Sequence, residues 1–222
     1  MIYLSWAAHC EGVSDRAYFE VLIPRALQGV FEKRSPLQKI EIPESQSVRL
    51  TGRVVDEVAA QACKARDAFQ IIFVHSDTGG RNLEAGMGAR SCALCLAMER
   101  RCEWPPRRCV VIAPRHETEA WILCDGVAVT PALGYTGSPE SIGLPSEPRE
   151  AERLRDPKSK LHEAVISVRG RRRRPDNVQQ LYASIAQWQS LDRLRSLSSF
   201  AAFESQLIDA LVEMRCISSS SV

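Results

Sequence analysis

The first twenty residues constrain the fold most, because an apolar run ends in an acidic turn and a helical pattern starts at once. Residues 2–20 read IYLSWAAHCEGVSDRAYFE, which predicts a strand, a turn at Glu11-Gly12 and a helix. Gly12 permits a tight turn, Ser14 can cap the helix, and Asp15 suits its positive end. A carboxylate that follows a core strand lies where open α/β sheets bind ligands. Glu11 is therefore a candidate for chemistry.

The following segments alternate between helical spacing and short apolar runs. Helical spacing occurs in residues 16–33, where Pro24 is expected to kink the helix, and in residues 51–69 and 82–101. The runs QIIFVH (70–75) and CVVIAP (109–114) are typical of strands buried on both faces of a parallel sheet. Residues 37–50 predict a strand or a loose hairpin. This alternation predicts an α/β fold, with a mostly parallel, doubly wound sheet flanked by helices.

The C-terminal half is predicted to be mainly helical. Residues 115–126 form a short helix whose Ala120, Leu123, Cys124 and Val127 face the core. Residues 129–149 are rich in Pro, Gly and Ser and predict a long irregular loop. Three further helices follow in residues 156–168, 177–189 and 199–215. The chain thus divides into an α/β core (1–128), an irregular loop (129–155) and a helical extension packed on the core (156–216).

Composition excludes some classes of protein. A formal net charge of +2 does not by itself indicate a nucleic-acid-binding protein. No apolar run approaches the ~20 residues of a membrane span, and no cleavable leader is evident, so we expect a cytoplasmic protein. The eight cysteines lie mostly in apolar segments, which favours reduced thiols that pack as small hydrophobic side chains.

Acidic residues follow three of the predicted core strands. Glu11 follows the first, Asp77 follows QIIFVH, and Glu117 and Glu119 follow CVVIAP. The carboxyl ends of parallel strands lie at one edge of a sheet, so these carboxylates should converge there. Clustered carboxylates repel one another unless a cation neutralises them, and oxygen-only ligands suit Mg²⁺ or Mn²⁺. Such an ion commonly serves phosphoryl transfer, which predicts a phosphodiester substrate.

The order of strand, Glu-Gly, helix and apolar strand with an acidic end resembles the Toprim domain of topoisomerases, primases and OLD-type nucleases. The segments EGVSD (11–15), VHSDTGG (74–80), ETEAWILCD (117–125) and LRSLSSFAAF (194–203) look like those of small stand-alone Toprim-like proteins of bacteria and phages. Proteins of that kind are often suspected of acting in antiphage defence. The resemblance spans most of the chain and implies a Toprim or Rossmann-like core.

The resemblance also implies roles for individual residues. Glu11 would be the Toprim glutamate, a general acid/base or a metal ligand, and Asp77 would be one member of the DxD pair. This sequence departs from the pattern at His75, which stands at the first DxD position. Glu117, Glu119 or Asp125 can supply the missing oxygen ligand. A degenerate regulatory Toprim domain is the alternative.

Basic residues are candidate phosphate contacts. Arg81 follows the DTGG turn, and a basic run comprises Arg169 and Arg171, Arg172, Arg173 and Arg174. That run either binds phosphates or forms a solvated linker.

The function predicted from these residues is a Mg²⁺- or Mn²⁺-dependent, Toprim-like nuclease acting on DNA or RNA. The second hypothesis is a catalytically weak nucleic-acid-binding or effector subunit that works with a partner ATPase. The third, ranked last, is a cysteine-based metal or redox protein with zinc at Cys92, Cys95, Cys102 and Cys109.

Overall fold

The core of the fold is a parallel β-sheet. A computed structural model describes residues 1–79, 91–170 and 177–218. Its strands are β1 (Ile2–Tyr3), β2 (Trp6–His9), β3 (Ile40–Glu41), β4 (Val48–Arg49), β5 (Ile71–His75) and β6 (Cys109–Ile112). Four of these described strands form one sheet in the order β4-β2-β5-β6, and every pairing within it is parallel. β1 and β3 pair with each other, also in parallel. The predicted α/β class with a mostly parallel sheet is confirmed.

Both faces of the sheet are buried, which explains the continuous apolar sequence of its inner strand. Every residue of β5 is buried. Ile71 and Phe73 belong to the larger apolar cluster, whereas Ile72 and Val74 belong to a smaller cluster. Successive side chains of a strand point to opposite faces, so each cluster covers one face of the sheet.

Helices cover both faces of the sheet. They are α1 (Val13–Arg34), α2 (Val55–Lys64), α3 (Ser91–Cys102), α4 (Thr118–Leu123), α5 (Gly126–Ala132), α6 (Pro148–Ala151), α7 (Pro157–Arg169), α8 (Val178–Trp188), α9 (Leu191–Arg195) and α10 (Ser198–Glu213). Short 3-10 turns lie at Arg66–Ala68, Pro106–Arg108 and Pro139–Ile142. α2 and α3 belong to the smaller cluster, and α1 packs with the C-terminal helices in the larger one.

The C-terminal helices pack on the α/β core. α8 lies against α1, where Arg25 Nη2 donates a hydrogen bond to the carbonyl oxygen of Gln189 over 2.8 Å. α10 lies against β6, and the amide of Val111 donates to Gln206 Oε1 over 3.1 Å. Among the described helices, none is long and apolar enough to cross a membrane.

Two segments fold differently from their predictions. Residues 37–50 do not form a hairpin, because β3 pairs with β1 and β4 pairs with β2. The prediction of an irregular loop for residues 129–149 is wrong in part, since α5, a 3-10 turn and the start of α6 lie there. Pro148 occupies the first turn of α6, and Glu147 and Glu150 form a capping box. A cap and an N-terminal proline are sufficient to start a short helix in a segment rich in Pro and Gly.

The helix predicted for residues 115–126 is also different, because it is two helices. α4 ends at Leu123 and α5 begins at Gly126, with Asp125 between them as the N-cap of α5. Ala120 and Cys124 are buried as predicted, but Val127 is 65% exposed. The break shifts the helical phase, which carries Val127 from the expected core face to the surface.

Four of the eight cysteines form disulfides, so the prediction of reduced thiols is wrong for these four. Cys63 of α2 is bonded to Cys102 of α3, and Cys95 of α3 is bonded to Cys109 of β6. These bonds use three of the four residues suggested for zinc, so those four cysteines do not form a zinc site in this structure. Disulfides persist mainly in oxidising compartments, so the two bonds argue against the cytoplasmic prediction.

Candidate active site at the carboxyl edge of the sheet

A cavity of about 540 Å³ lies at the carboxyl ends of β2 and β5. It contains the two residues expected to do chemistry, Glu11 and Asp77, which are 66 positions apart in the sequence and follow different strands. It is lined by residues of the two strand ends, the start of α1, the segment before α2, and α2 and α3: His9, Glu11, Gly12, Asp15, Gly52, Arg53, Val55, Val58, Val74, His75, Asp77, Ser91 and Leu94. The sheet therefore brings the two predicted carboxylates to one site.

The turn after β2 brings a second carboxylate to the cavity beside Glu11. Gly12 is the N-cap of α1, and its carbonyl oxygen accepts a hydrogen bond from the amide of Arg16 over 3.1 Å. Asp15, in the first turn of α1, folds back over this glycine. A Cβ atom at position 12 would lie only 2.5 Å from Asp15 Oδ2. A side chain at position 12 would therefore displace the Asp15 carboxylate, which lines the cavity and does not serve only the helix dipole.

Asp77 is held by the loop that follows β6. Its Oδ1 accepts a hydrogen bond from the amide of Thr118 over 3.1 Å. The same loop is fixed by Thr78, whose hydroxyl donates to the carbonyl of Pro114 and accepts from the amide of His116. The first residue of α4 is thereby placed against the end of β5. We expected a carboxylate of the ETEAWILCD segment at this point, but the contact to Asp77 is made by a backbone amide.

His75 lies beneath Asp77 and is 1% exposed. Its Nε2 is 3.2 Å from Asp77 Oδ1 and 3.2 Å from Thr118 Oγ1. Its ring packs on Phe19 with a centroid separation of 4.7 Å. Nε2 of this histidine therefore has polar partners. Nδ1 is buried and has no hydrogen-bond partner among the described residues.

The other three predicted metal ligands do not line this cavity. Glu119 is buried, and its Oε1 accepts a hydrogen bond from the hydroxyl of Tyr182 over 2.7 Å. Asp125 is buried at the other end of α4, where Oδ2 accepts from the amide of Ser190 over 2.8 Å and Oδ1 lies 3.4 Å from Arg193 Nε. Glu117 lines a neighbouring cavity of about 560 Å³. Within the described ranges, no group of three or more His, Cys, Asp or Glu side chains could hold a metal ion.

The predicted phosphate contacts Arg81, Arg171, Arg172, Arg173 and Arg174 lie outside the described residues. A basic residue missed by the sequence analysis is Arg53, which is exposed and lines the cavity that contains Glu11 and Asp77. It precedes α2 in a segment with no recognisable motif, so its proximity to the strand ends is set by the pairing of β4 with β2.

Trp121 connects the segments ETEAWILCD (117–125) and LRSLSSFAAF (194–203). Its Nε1 donates to Ser199 Oγ over 2.7 Å. The centroid of its ring lies 5.0 Å from the ring centroid of Phe200 and 5.8 Å from that of Phe203. Trp121 is fully buried. These contacts give ETEAWILCD and LRSLSSFAAF a structural role, because each contributes side chains to the same apolar cluster.

The buried pair of Glu119 and Tyr182 should make stability depend on pH. Burial raises the pKa of Glu119 above its ordinary value of 4.5, although the hydrogen bond from Tyr182 opposes this. Between the ordinary and the raised pKa, the folded state binds more protons than the unfolded state. The free energy of unfolding should therefore fall as pH rises through this window.

Tyr182→Phe tests the pair directly. The variant leaves Glu119 buried without this donor, so we expect a loss of about 1–3 kcal/mol at neutral pH and a smaller loss below pH 4.5. Urea unfolding at both pH values measures this difference. Tyr3→Phe, at a half-exposed tyrosine, is the control. An equal loss at the two pH values would show that Tyr182 acts only through packing.

Comparison with known protein families, with curated proteins and with solved structures found no match to this chain.

Proposed function

We propose that this protein is a Mg²⁺- or Mn²⁺-dependent enzyme that cleaves phosphodiester bonds in nucleic acid, with a Toprim-like site at Glu11 and Asp77. The observation that supports it is that these two carboxylates, which follow different strands, line one cavity. The same residues are the ones that the Toprim resemblance assigns to catalysis. A role in antiphage defence would follow from that resemblance alone.

The residues around the cavity fit a hard divalent cation. Mg²⁺ usually keeps several waters and is bound through one or two carboxylates together with substrate phosphate oxygens. Glu11 and Asp77 can supply those two carboxylates, and Asp15 lies on the same wall. A group of three protein ligands is not needed for such an ion. When bound, a divalent cation stabilises the negative charge that develops on a transferring phosphoryl group.

The protein's own groups would divide the remaining tasks. Asp77 is fixed by the amide of Thr118, so its orientation is set before any ligand binds. Glu11, at the turn before α1, is placed to hold the ion or to accept the proton of an attacking water. Arg53, at the rim, is placed to contact a substrate phosphate through its guanidinium. Glu119 and Asp125 are left out of the proposed site because their side chains are bonded elsewhere.

The experiment is a cleavage assay on purified protein with labelled single- and double-stranded DNA and RNA. We expect cleavage with added Mg²⁺ or Mn²⁺ and none with a chelator. Mn²⁺ binding should be measured on the same protein by electron paramagnetic resonance. Cleavage that persists in chelator, or the lack of any bound Mn²⁺, would overturn the proposal.

The second candidate is a catalytically weak nucleic-acid-binding or effector subunit that works with a partner ATPase. His75 at the first DxD position favours it, because the end of β5 carries one carboxylate fewer than the Toprim pattern. This candidate predicts Mn²⁺ binding and nucleic-acid binding without cleavage by the isolated chain. The assay above separates the two functions.

A further inference from the structure

His75 carries a set of contacts that the proposed function does not use. It is almost fully buried, lines the cavity, and makes hydrogen-bonding contacts through Nε2, toward Asp77 and Thr118. Nδ1 has no hydrogen-bond partner in the described part of the chain. All of the hydrogen bonding of the ring therefore lies on the side of Asp77.

A hydrogen bond between His75 Nε2 and an ionised Asp77 carboxylate must run from the histidine to the carboxylate. An ionised carboxylate can only accept hydrogen bonds, whereas a neutral imidazole donates through one nitrogen and accepts through the other. With its proton on Nε2, His75 donates to Asp77 Oδ1 over 3.2 Å, and the same nitrogen lies 3.2 Å from Thr118 Oγ1. The amide of Thr118 donates to the same oxygen. Two donors hold Oδ1, which leaves Oδ2 for a ligand.

We propose that His75 is a positioning residue for Asp77: its Nε2–H holds Oδ1 so that the carboxylate is oriented to bind a divalent cation. The proposal rests on the proposed metal site. It gives a role to the departure from the DxD pattern, because the histidine supports the remaining carboxylate and does not simply delete a ligand. Packing on Phe19 restricts the ring, so its donor has a fixed direction.

Two amide substitutions with side chains of different length test this role. The amide nitrogen of His75→Gln can lie near the place of Nε2, whereas the shorter His75→Asn amide cannot. Partners that orient metal ligands typically contribute about 10–100-fold to metal affinity. We expect His75→Asn and His75→Leu to weaken Mn²⁺ binding by about 10–100-fold, and His75→Gln to recover most of it. Electron paramagnetic resonance of Mn²⁺ in the full chain gives the affinities, and thermal unfolding monitors folding.

Each outcome bears on the proposal. Equal affinities of the Asn and Gln variants would overturn it, because a merely structural polar residue would not distinguish the two. If Asp77→Asn abolishes Mn²⁺ binding but none of the His75 variants weakens it, the metal site stands and the role of His75 falls. If the wild-type protein binds no Mn²⁺, both proposals fall.

A second measurement does not depend on metal or on any variant. Nitrogen-15 NMR of the histidine side chains distinguishes a proton on Nε2 from one on Nδ1. The proposal requires a proton on Nε2 of His75 in the metal-free protein. A proton on Nδ1 alone would overturn it, because Nε2 could not then donate to Asp77.

Discussion

Glu11→Gln is expected to reduce metal-dependent cleavage by about 10²–10⁴-fold or more, because the amide can neither carry the negative charge nor accept a proton. Gln keeps the size and shape of the side chain. Glu11 lies in the turn before α1 and is only partly buried, so the free energy of unfolding should change by no more than about 0.5 kcal/mol. The measurements are the rate of cleavage at saturating Mg²⁺ and urea unfolding of the same preparation.

A matched control comes from the other end of α1. Glu32 is exposed and accepts a hydrogen bond from Gln28 on its own helix, so Glu32→Gln removes one negative charge without touching the cavity. It should cleave at the wild-type rate. Asp15→Asn should give an intermediate loss, because Asp15 lines the cavity but is not assigned to the ion. Wild-type cleavage by Glu11→Gln would contradict the proposed site, and unfolding of that variant would make Glu11 a structural residue.

The parts of the site that could be predicted from the sequence are those set by local pattern and parallel topology. β5 is recognisable because burial on both faces requires a continuous apolar run, as in Ile71–His75. Parallel strands end at one edge of the sheet, so the residues that follow β2 and β5 meet there. This is why Glu11 and Asp77 could be assigned to one site before their positions were known.

The parts that could not be predicted depend on partners distant in sequence. Glu119 and Asp125 have the charge and spacing of metal ligands, but Tyr182 and the amide of Ser190 reach them from the C-terminal helices. No local sequence pattern shows that these donors will contact the two carboxylates. The same limit applies to Thr118, whose backbone amide donates a hydrogen bond to Asp77. A backbone contact of this kind cannot be predicted from the identity of the side chain.

Cysteine pairing was missed for a related reason. Apolar surroundings suit a buried free thiol as well as a disulfide, so the sequence around each cysteine does not distinguish the two states. The distinction depends on how α2, α3 and β6 approach one another. Both bonds join α3 to a neighbour, at Cys95 and at Cys102, and the first turns of α3 carry Ser91 and Leu94 into the wall of the cavity.

Removal of the bond between Cys63 and Cys102 is expected to lower the free energy of unfolding by about 3–4 kcal/mol, because a cross-link restricts the unfolded chain more when it closes a longer loop. The two residues are separated by 39 positions, and the loop includes β5 and Asp77. The bond between Cys95 and Cys109, with a separation of 14, should contribute about 3 kcal/mol. Urea unfolding of Cys63→Ser/Cys102→Ser and Cys95→Ser/Cys109→Ser measures both.

Cys92 lies on α3 and has a free thiol, so Cys92→Ser is the control. It should leave the free energy of unfolding nearly unchanged.

A phosphine reductant should lower the free energy of unfolding of the wild-type protein further than either double variant does, because it opens both bonds. Alkylation under denaturing, non-reducing conditions should modify the four free cysteines and spare the four that are bonded. Modification of all eight would show that the thiols are reduced in solution. That result would remove the constraint on α3 and the argument against a cytoplasmic protein together, since both follow from the same two bonds.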